Sequence, residues 1–310
     1  MFSVIFPGQG SQSVGMANEL HSKFDLVKKY FKHADEVLDF PISKIILEGP
    51  KENLNLTENT QPAIFLVGYS IFNLIKNEFD FDLSKAKFFA GHSVGEYTAL
   101  ASSGIINFED TIRLLKLRGN AMQSAVPKGE GGMVAVLGSD ILKIESLIDE
   151  KKYECFIAND NSNGQLVISG RIDHLNKFVD DLKNLRIKNI TLPVSGPFHC
   201  KLMNKATIKM EPEIKKLEFN ISEKILISNV TANEMKNPEE IKKLLIKQIE
   251  SRVRWRESII YMIKKGVNHF IEIGPGKVLS GLIKRIDKTV IVDAINSEED
   301  INNIKKNDKF

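Results

Sequence analysis

The chain has 310 residues, 42% hydrophobic and 27% charged, with a formal net charge of +3. That length suits one large domain with a smaller insertion and a well-buried core, which excludes a disulfide-stapled miniprotein. The charge is too small to imply nucleic acid, the two cysteines Cys155 and Cys200 lack paired-ligand spacing for a metal, and no apolar run approaches the ~18–20 residues that a bilayer requires. The first residues, "MFSVIFPGQG", lack a basic region and a small-residue cleavage site, so a cytoplasmic protein in a reducing compartment is expected.

In chain order, "FSVIF" (2–6) is an apolar run ended by Pro7 and Gly8, the pattern of a buried parallel strand feeding a loop. "QPAIFLVGYSIFNLIKNEF" has helical periodicity, "AKFFAG" (86–91) repeats the strand-then-glycine pattern, and "VGEYTALAS" reads as a helix stopped by Gly104. A further helix is expected over "EDTIRLLKLRGNAMQSAV", and "HFIEIGPG" (269–276) is another strand ending in glycine. Strands alternating with helices predict an α/β fold with a parallel sheet covered on both faces. Between residues 128 and 194 the order changes: strand "GGMVAVLG", helix, strands "ECFIAN" and "GQLVISG" around the turn-rich "DNSN", helix, and strand "IKNITLPV". This βαββαβ order predicts a small ferredoxin-like domain (128–194) inserted into a large α/β-hydrolase-like domain (1–127 and 195–310), with a cleft between the two. Lysine-rich stretches at 183–188, 205–216 and 242–247 read as solvated helix faces, and the polar tail "SEEDINNIKKNDKF" as a fraying end.

"GHSVG" (91–95) places Ser93 at a strand-to-helix junction, where a hydroxyl is held exposed and the next amide, that of Val94, points from the helix start toward developing negative charge. Glycine and serine also occur at such turns as plain punctuation. A serine nucleophile needs a base. Of the six histidines, His92 adjoins Ser93 on a turn where consecutive side chains diverge, whereas His199 in "PVSGPFHCKLM" sits on a segment that Pro193, Gly196 and Pro197 hold out of regular structure. Either a catalytic base or a satisfied structural histidine fits that position. Arg118 falls on the apolar stripe of its helix, with Ile112, Leu115, Met122 and Ala125, so it faces inward. A buried guanidinium calls for an anion, and its planar fork suits a carboxylate, either an internal Asp or Glu or that of a substrate. "FPGQGSQ" (6–12) lacks the Lys-Ser/Thr of a phosphate loop and the spacing of a dinucleotide site; it instead brings the Gln9 amide to the C-terminal sheet edge as a second oxyanion donor.

The ordered series "FPGQGSQSVGM", "TQPAIF", "GHSVGEYTAL", "LRGNAMQ", "GGMVAVLG", "NGQLVISG", "PVSGPFHCKLM", "QIESRVRW" and "EIGPGKVLSGL" resembles the malonyl-coenzyme A:acyl carrier protein transacylases of type II fatty acid synthesis over essentially the whole chain. The resemblance implies that Ser93 is acylated, that His199 is its base, and that the main-chain carbonyl of Gln248 orients the imidazole. It further implies an oxyanion hole from Gln9 and Val94, and Arg118 as the clamp on the malonyl carboxylate. Asn159 and Asn161 match polar residues near the mouth of the site, His92 belongs to the substrate-binding set, and Phe198 limits room for a methyl branch. Arg252 stands where the family commonly has proline, and Cys200 where it commonly has serine. Malonyl-coenzyme A and acyl carrier protein are the implied substrates of a monomer that uses no metal or other cofactor, no nucleic acid and no membrane.

Overall fold

The apolar run at the N-terminus is buried at every position and forms β1 (Phe2–Phe6), the middle of a six-stranded sheet in a computed structural model that describes residues 1–79 and 81–306. The sheet runs β10 (Ile291–Ile295), β9 (His269–Ile273), β1, β2 (Phe88–Gly91), β7 (Ile225–Ile227), β8 (Glu234–Met235). All its pairings are parallel except the last, between β7 and β8. β1 and β9 present five buried residues each, as strands covered on both faces must. One face packs the long helix Thr57–Glu78, whose centre is apolar almost without interruption, and the other packs Trp255, Ile259 and Met262 of the helix Trp255–Lys264. The fold is therefore mixed α/β around a largely parallel sheet.

A second sheet, wholly antiparallel, has the order β4 (Cys155–Ser162), β5 (Gln165–Arg171), β3 (Gly131–Leu137), β6 (Lys188–Thr191). Its strands alternate as a two-faced sheet requires. Val134, Val136, Leu166 and Ile168 join Ile144, Leu175 and Phe178 of its own helices, while Met133 and Val167 belong to the core shared with the large sheet. That second face forms one wall of the cleft.

Two expectations change here. Most of the "DNSN" stretch is strand: β4 continues to Ser162, and only its last residue, Asn163, turns the chain together with Gly164. The strand survives its polar composition because it pairs with Leu166 and Gln165 through two register shifts and gains a bridge from Asn159 to Val253. The tail is also ordered further than expected. Ser297 and Asp300 cap each other's backbone amides, and Ile301 and Ile304 are buried, which holds the helix Glu298–Lys306 in place; residues 307–310 lie outside the described part. The lysines of the three basic stretches are mostly exposed. Among the described residues no helix is long and apolar enough to cross a membrane.

Candidate active site

The register pairs Phe6 with Gly91, so the loops leaving β1 and β2 emerge side by side at one sheet edge and bring Gln9 and Ser93 together. Ser93 immediately precedes the helix Val94–Ser102 with φ 52° and ψ −104°, a backbone conformation that costs an L residue on the order of 1–3 kcal/mol. The glycines on either side make the turn possible. A Cβ on Gly91 would lie 2.0 Å from the Gly95 carbonyl oxygen, and one on Gly95 would lie 2.2 Å from that of Phe6. Helix start and strand end touch through bare backbone, which is the physical content of "GHSVG". Asn229 fixes the turn from behind: its Oδ1 accepts from the Ser93 amide at 2.7 Å, and its Nδ2 donates to the Gly91 carbonyl at 2.7 Å.

His199 comes from the irregular segment between β6 and the short 3-10 turn Lys201–Met203, at φ 58°. Its Nε2 lies 2.8 Å from Ser93 Oγ and its Nδ1 lies 2.9 Å from the main-chain oxygen of Gln248. A carbonyl only accepts, so Nδ1 carries the proton and Nε2 turns its lone pair to the serine hydroxyl. Gln248 ends the helix Pro238–Gln248, where the last carbonyls have no partner within the helix. Burial, and then the positive charge of Arg118, push the His199 pKa down to about 3, so the imidazole rests neutral.

Arg118 is 1% exposed, on the buried stripe of the helix Phe108–Ser124. Its Nη1 donates to Gln61 Oε1 at 2.6 Å, and its Nη2 donates to Gln248 Oε1 at 2.8 Å and to Ser93 Oγ at 3.3 Å. The Tyr97 ring lies 5.2 Å from the guanidinium carbon. Burial lowers the Arg118 pKa, against the opposing pull of Tyr97 and Glu96. All three bonding partners are neutral, and among the described residues Nε has no acceptor. A planar fork so placed can receive an anion at the serine.

Ser93, His199 and Arg118 open on a cleft of about 340 Å³ between the two sheets. Gln9, Val94, His92 and Phe198 line the same space, as do Asn159 and Asn161. Gln248 is fully buried behind the histidine. His92 does diverge from Ser93: its Nε2 is 2.8 Å from Asn161 Oδ1 and its ring packs 5.7 Å from that of Trp255. A larger cavity of about 470 Å³, lined by Tyr69, Phe72 and Phe89 among others, lies apart from these groups and holds no such constellation. Sequence reasoning missed Gln61, Asn229 and Glu96. Gln61 left a signal, an amide inside an apolar helix beside Pro62; Asn229 left none, since its partners are more than 130 residues away.

A strained serine at the end of a parallel strand, hydrogen-bonded to a neutral histidine in a cleft between two sheets, defines a serine acyl transferase or hydrolase. The model of the acyl transferase domain family matches residues 3–309. The chain is 40% identical to the malonyl CoA-acyl carrier protein transacylase of Bacillus subtilis, over 96% of this chain and 94% of that protein. Among solved structures, the acyl-carrier-protein-S-malonyltransferase of Bartonella henselae superposes with a TM-score of 0.95 at 39% identity, covering 98% of both chains. A malonyl-transacylase solved in complex with its type II PKS acyl-carrier protein matches with a TM-score of 0.95 at 35% identity, over 99% of both chains. The chain belongs to the malonyl CoA-acyl carrier protein transacylase family.

Proposed function

We propose that the protein moves a malonyl group from malonyl-coenzyme A to the phosphopantetheine thiol of acyl carrier protein through a malonyl ester of Ser93. The observation that carries this reading is the meeting of three groups: Ser93 Oγ lies 2.8 Å from the His199 nitrogen and 3.3 Å from a nitrogen of Arg118, whose hydrogen-bond acceptors among the described residues are two amide oxygens and this hydroxyl. In the first half-reaction His199 Nε2 takes the hydroxyl proton as Oγ attacks the thioester carbonyl, and the main-chain amides of Gln9 and Val94 receive the oxyanion. The carbon–sulfur bond then breaks and the imidazolium returns the proton to the departing thiol. The carrier thiol enters the same cleft and the steps run in reverse, so one thioester replaces another with no net oxidation and no cofactor. Arg118 holds the free carboxylate of the malonyl group. The Gln248 carbonyl keeps the imidazole in the required tautomer, Phe198 closes the space a methyl branch would need, and His92, Asn159 and Asn161 shape the mouth.

The solved relative bound to an acyl-carrier protein supports a carrier as the acceptor. The antiparallel order β4-β5-β3-β6 supports a ferredoxin-like insertion at 128–194 in a large, α/β-hydrolase-like domain of residues 1–127 and 195–310. A cytoplasmic monomer is the simplest form of such an enzyme. Intact-mass measurement after mixing with malonyl-coenzyme A tests the proposal. A malonyl increment is expected on the wild type, lost in Ser93→Ala and discharged by holo carrier protein; no increment, or rapid release of free malonate without carrier, would overturn it.

A further inference from the structure

We propose that Glu96 is a positioning residue for malonyl transfer: one oxygen of its buried carboxyl fastens Gln248 and Asn229, and through them directs the Arg118 guanidinium, the Ser93 amide and the His199 imidazole. The inference deepens the transfer reading and rests on it. Glu96 lies one helical turn past the nucleophile and is 0% exposed. Its Oε2 accepts from Gln248 Nε2 at 2.9 Å and from the main-chain amide of Asn229 at 2.9 Å. Its other oxygen has no partner among the described residues, so all of the acid's bonding goes into this one junction.

The direction of the Gln248 amide is what the acid decides. The oxygen and nitrogen ends of a primary amide are nearly alike in shape, so two orientations compete and hydrogen bonds choose between them. With Glu96 Oε2 and the Ser93 carbonyl at 3.2 Å both accepting, the nitrogen must face them. Gln248 Oε1 is thereby turned toward Arg118 Nη2 at 2.8 Å. Reversed, an amide N–H would face a guanidinium N–H and an amide oxygen would face two oxygens, all in a buried site. The same residue offers its main-chain oxygen to His199 and so ties the arginine's aim to the base. On the other branch, Asn229 is anchored at its amide by Glu96 and bonds both the Ser93 amide and the Gly91 carbonyl.

Placing an amide between acid and arginine also has chemical sense. A carboxylate directly on Arg118 would be an internal competitor for the malonyl carboxylate. Gln248 gives the fork a neutral, aligned acceptor and leaves its charge free for substrate.

Glu96→Met removes the acceptor and keeps the length of the side chain, while Glu96→Gln keeps an acceptor oxygen. In the Met variant the crystal structure should show the Gln248 amide turned away from Arg118. The ratio of kcat/KM for malonyl over acetyl loading should fall at least about tenfold, mainly through KM for malonyl-coenzyme A, and fluorophosphonate labelling of Ser93 should slow. Glu96→Gln should restore the ratio to within about threefold of wild type. Should the Met variant not fold, Glu96→Asp, which withdraws the carboxyl by one methylene, should give the same losses. A folded Met or Asp variant with Gln248 and Arg118 unmoved and the ratio within about twofold of wild type would overturn the proposal. If the wild type never takes malonyl on Ser93, the transfer reading falls instead, while the displacement of Gln248 and the labelling rate still decide the role of Glu96.

Discussion

Arg118 brings a positive charge into a cleft where its acceptors are two amide oxygens and a hydroxyl, so the energy of an anion bound there is the energy of a pairing the folded chain leaves open. Removing one partner of a buried charged pair costs about 2–5 kcal/mol. Arg118→Ala should therefore lower kcat/KM for malonyl loading by roughly thirtyfold to a few thousandfold and leave acetyl loading little changed; equal losses for both acyl groups would take the arginine out of carboxylate recognition. His199 makes a second prediction. Its folded pKa of about 3 lies below the ordinary 6.5, so the neutral base persists through mild acid. Loading should show no imidazole limb between about pH 6 and 7. The folded pKa of Glu96 is raised by burial to about 7, so an inflection there belongs to the carboxyl and should vanish in Glu96→Gln; one that survives would show His199 titrating normally. The signs for stability are opposite. The unfolded chain takes up a proton on His199 between pH 6.5 and about 3 that the native protein refuses, so that contribution is full above pH 6.5 and is lost as pH falls through this range. For Glu96, with its raised folded pKa, the contribution is full below the ordinary value of 4.5 and is lost as pH rises through about 7.

At the level of elements, the decisive contact is between the helix Val94–Ser102 and the ends of β1 and β2. Gly95 sits against the Phe6 and Pro7 oxygens, where an added Cβ would be 2.2 and 2.8 Å away, and both neighbours are backbone that cannot swing aside. Gly95→Ala should destabilise the fold by about 1–3 kcal/mol or more and slow fluorophosphonate labelling of Ser93 by shifting the helix start. An unchanged melting temperature with wild-type labelling would mean the junction is looser than its geometry implies. The strands and helices around it were legible because each carries a local pattern: apolar runs ended by glycine, and the inward stripe that singled out Arg118. The strand through "DNSN" was not, because its polar residues are held by pairing with β5 and Val253 and not by any preference of their own. The helix Glu298–Lys306 was not legible within a tail read as a fraying end, although Ser297 and Asp300 stand at capping-box spacing, since the polar composition masked Ile301 and Ile304.

Across the whole molecule, the parallel sheet and the presence of Ser93, His199 and Arg118 in one cleft were legible because short motifs mark them, whereas the polar framework behind them was not. Asn229, Glu96 and Gln61 act through partners brought near only by the finished fold, with contacts spanning 57 to 152 residues of sequence. The same long spacing governs how the enzyme comes into being. β1 is hydrogen-bonded to β9, near the far end of the chain, and the carbonyl that aligns the imidazole belongs to residue 248. A polypeptide still emerging from the ribosome thus carries Ser93 early yet lacks the carbonyl that meets His199 until most of its length has been made. The cleft cannot be complete before Gln248 and Val278 have been added to the chain.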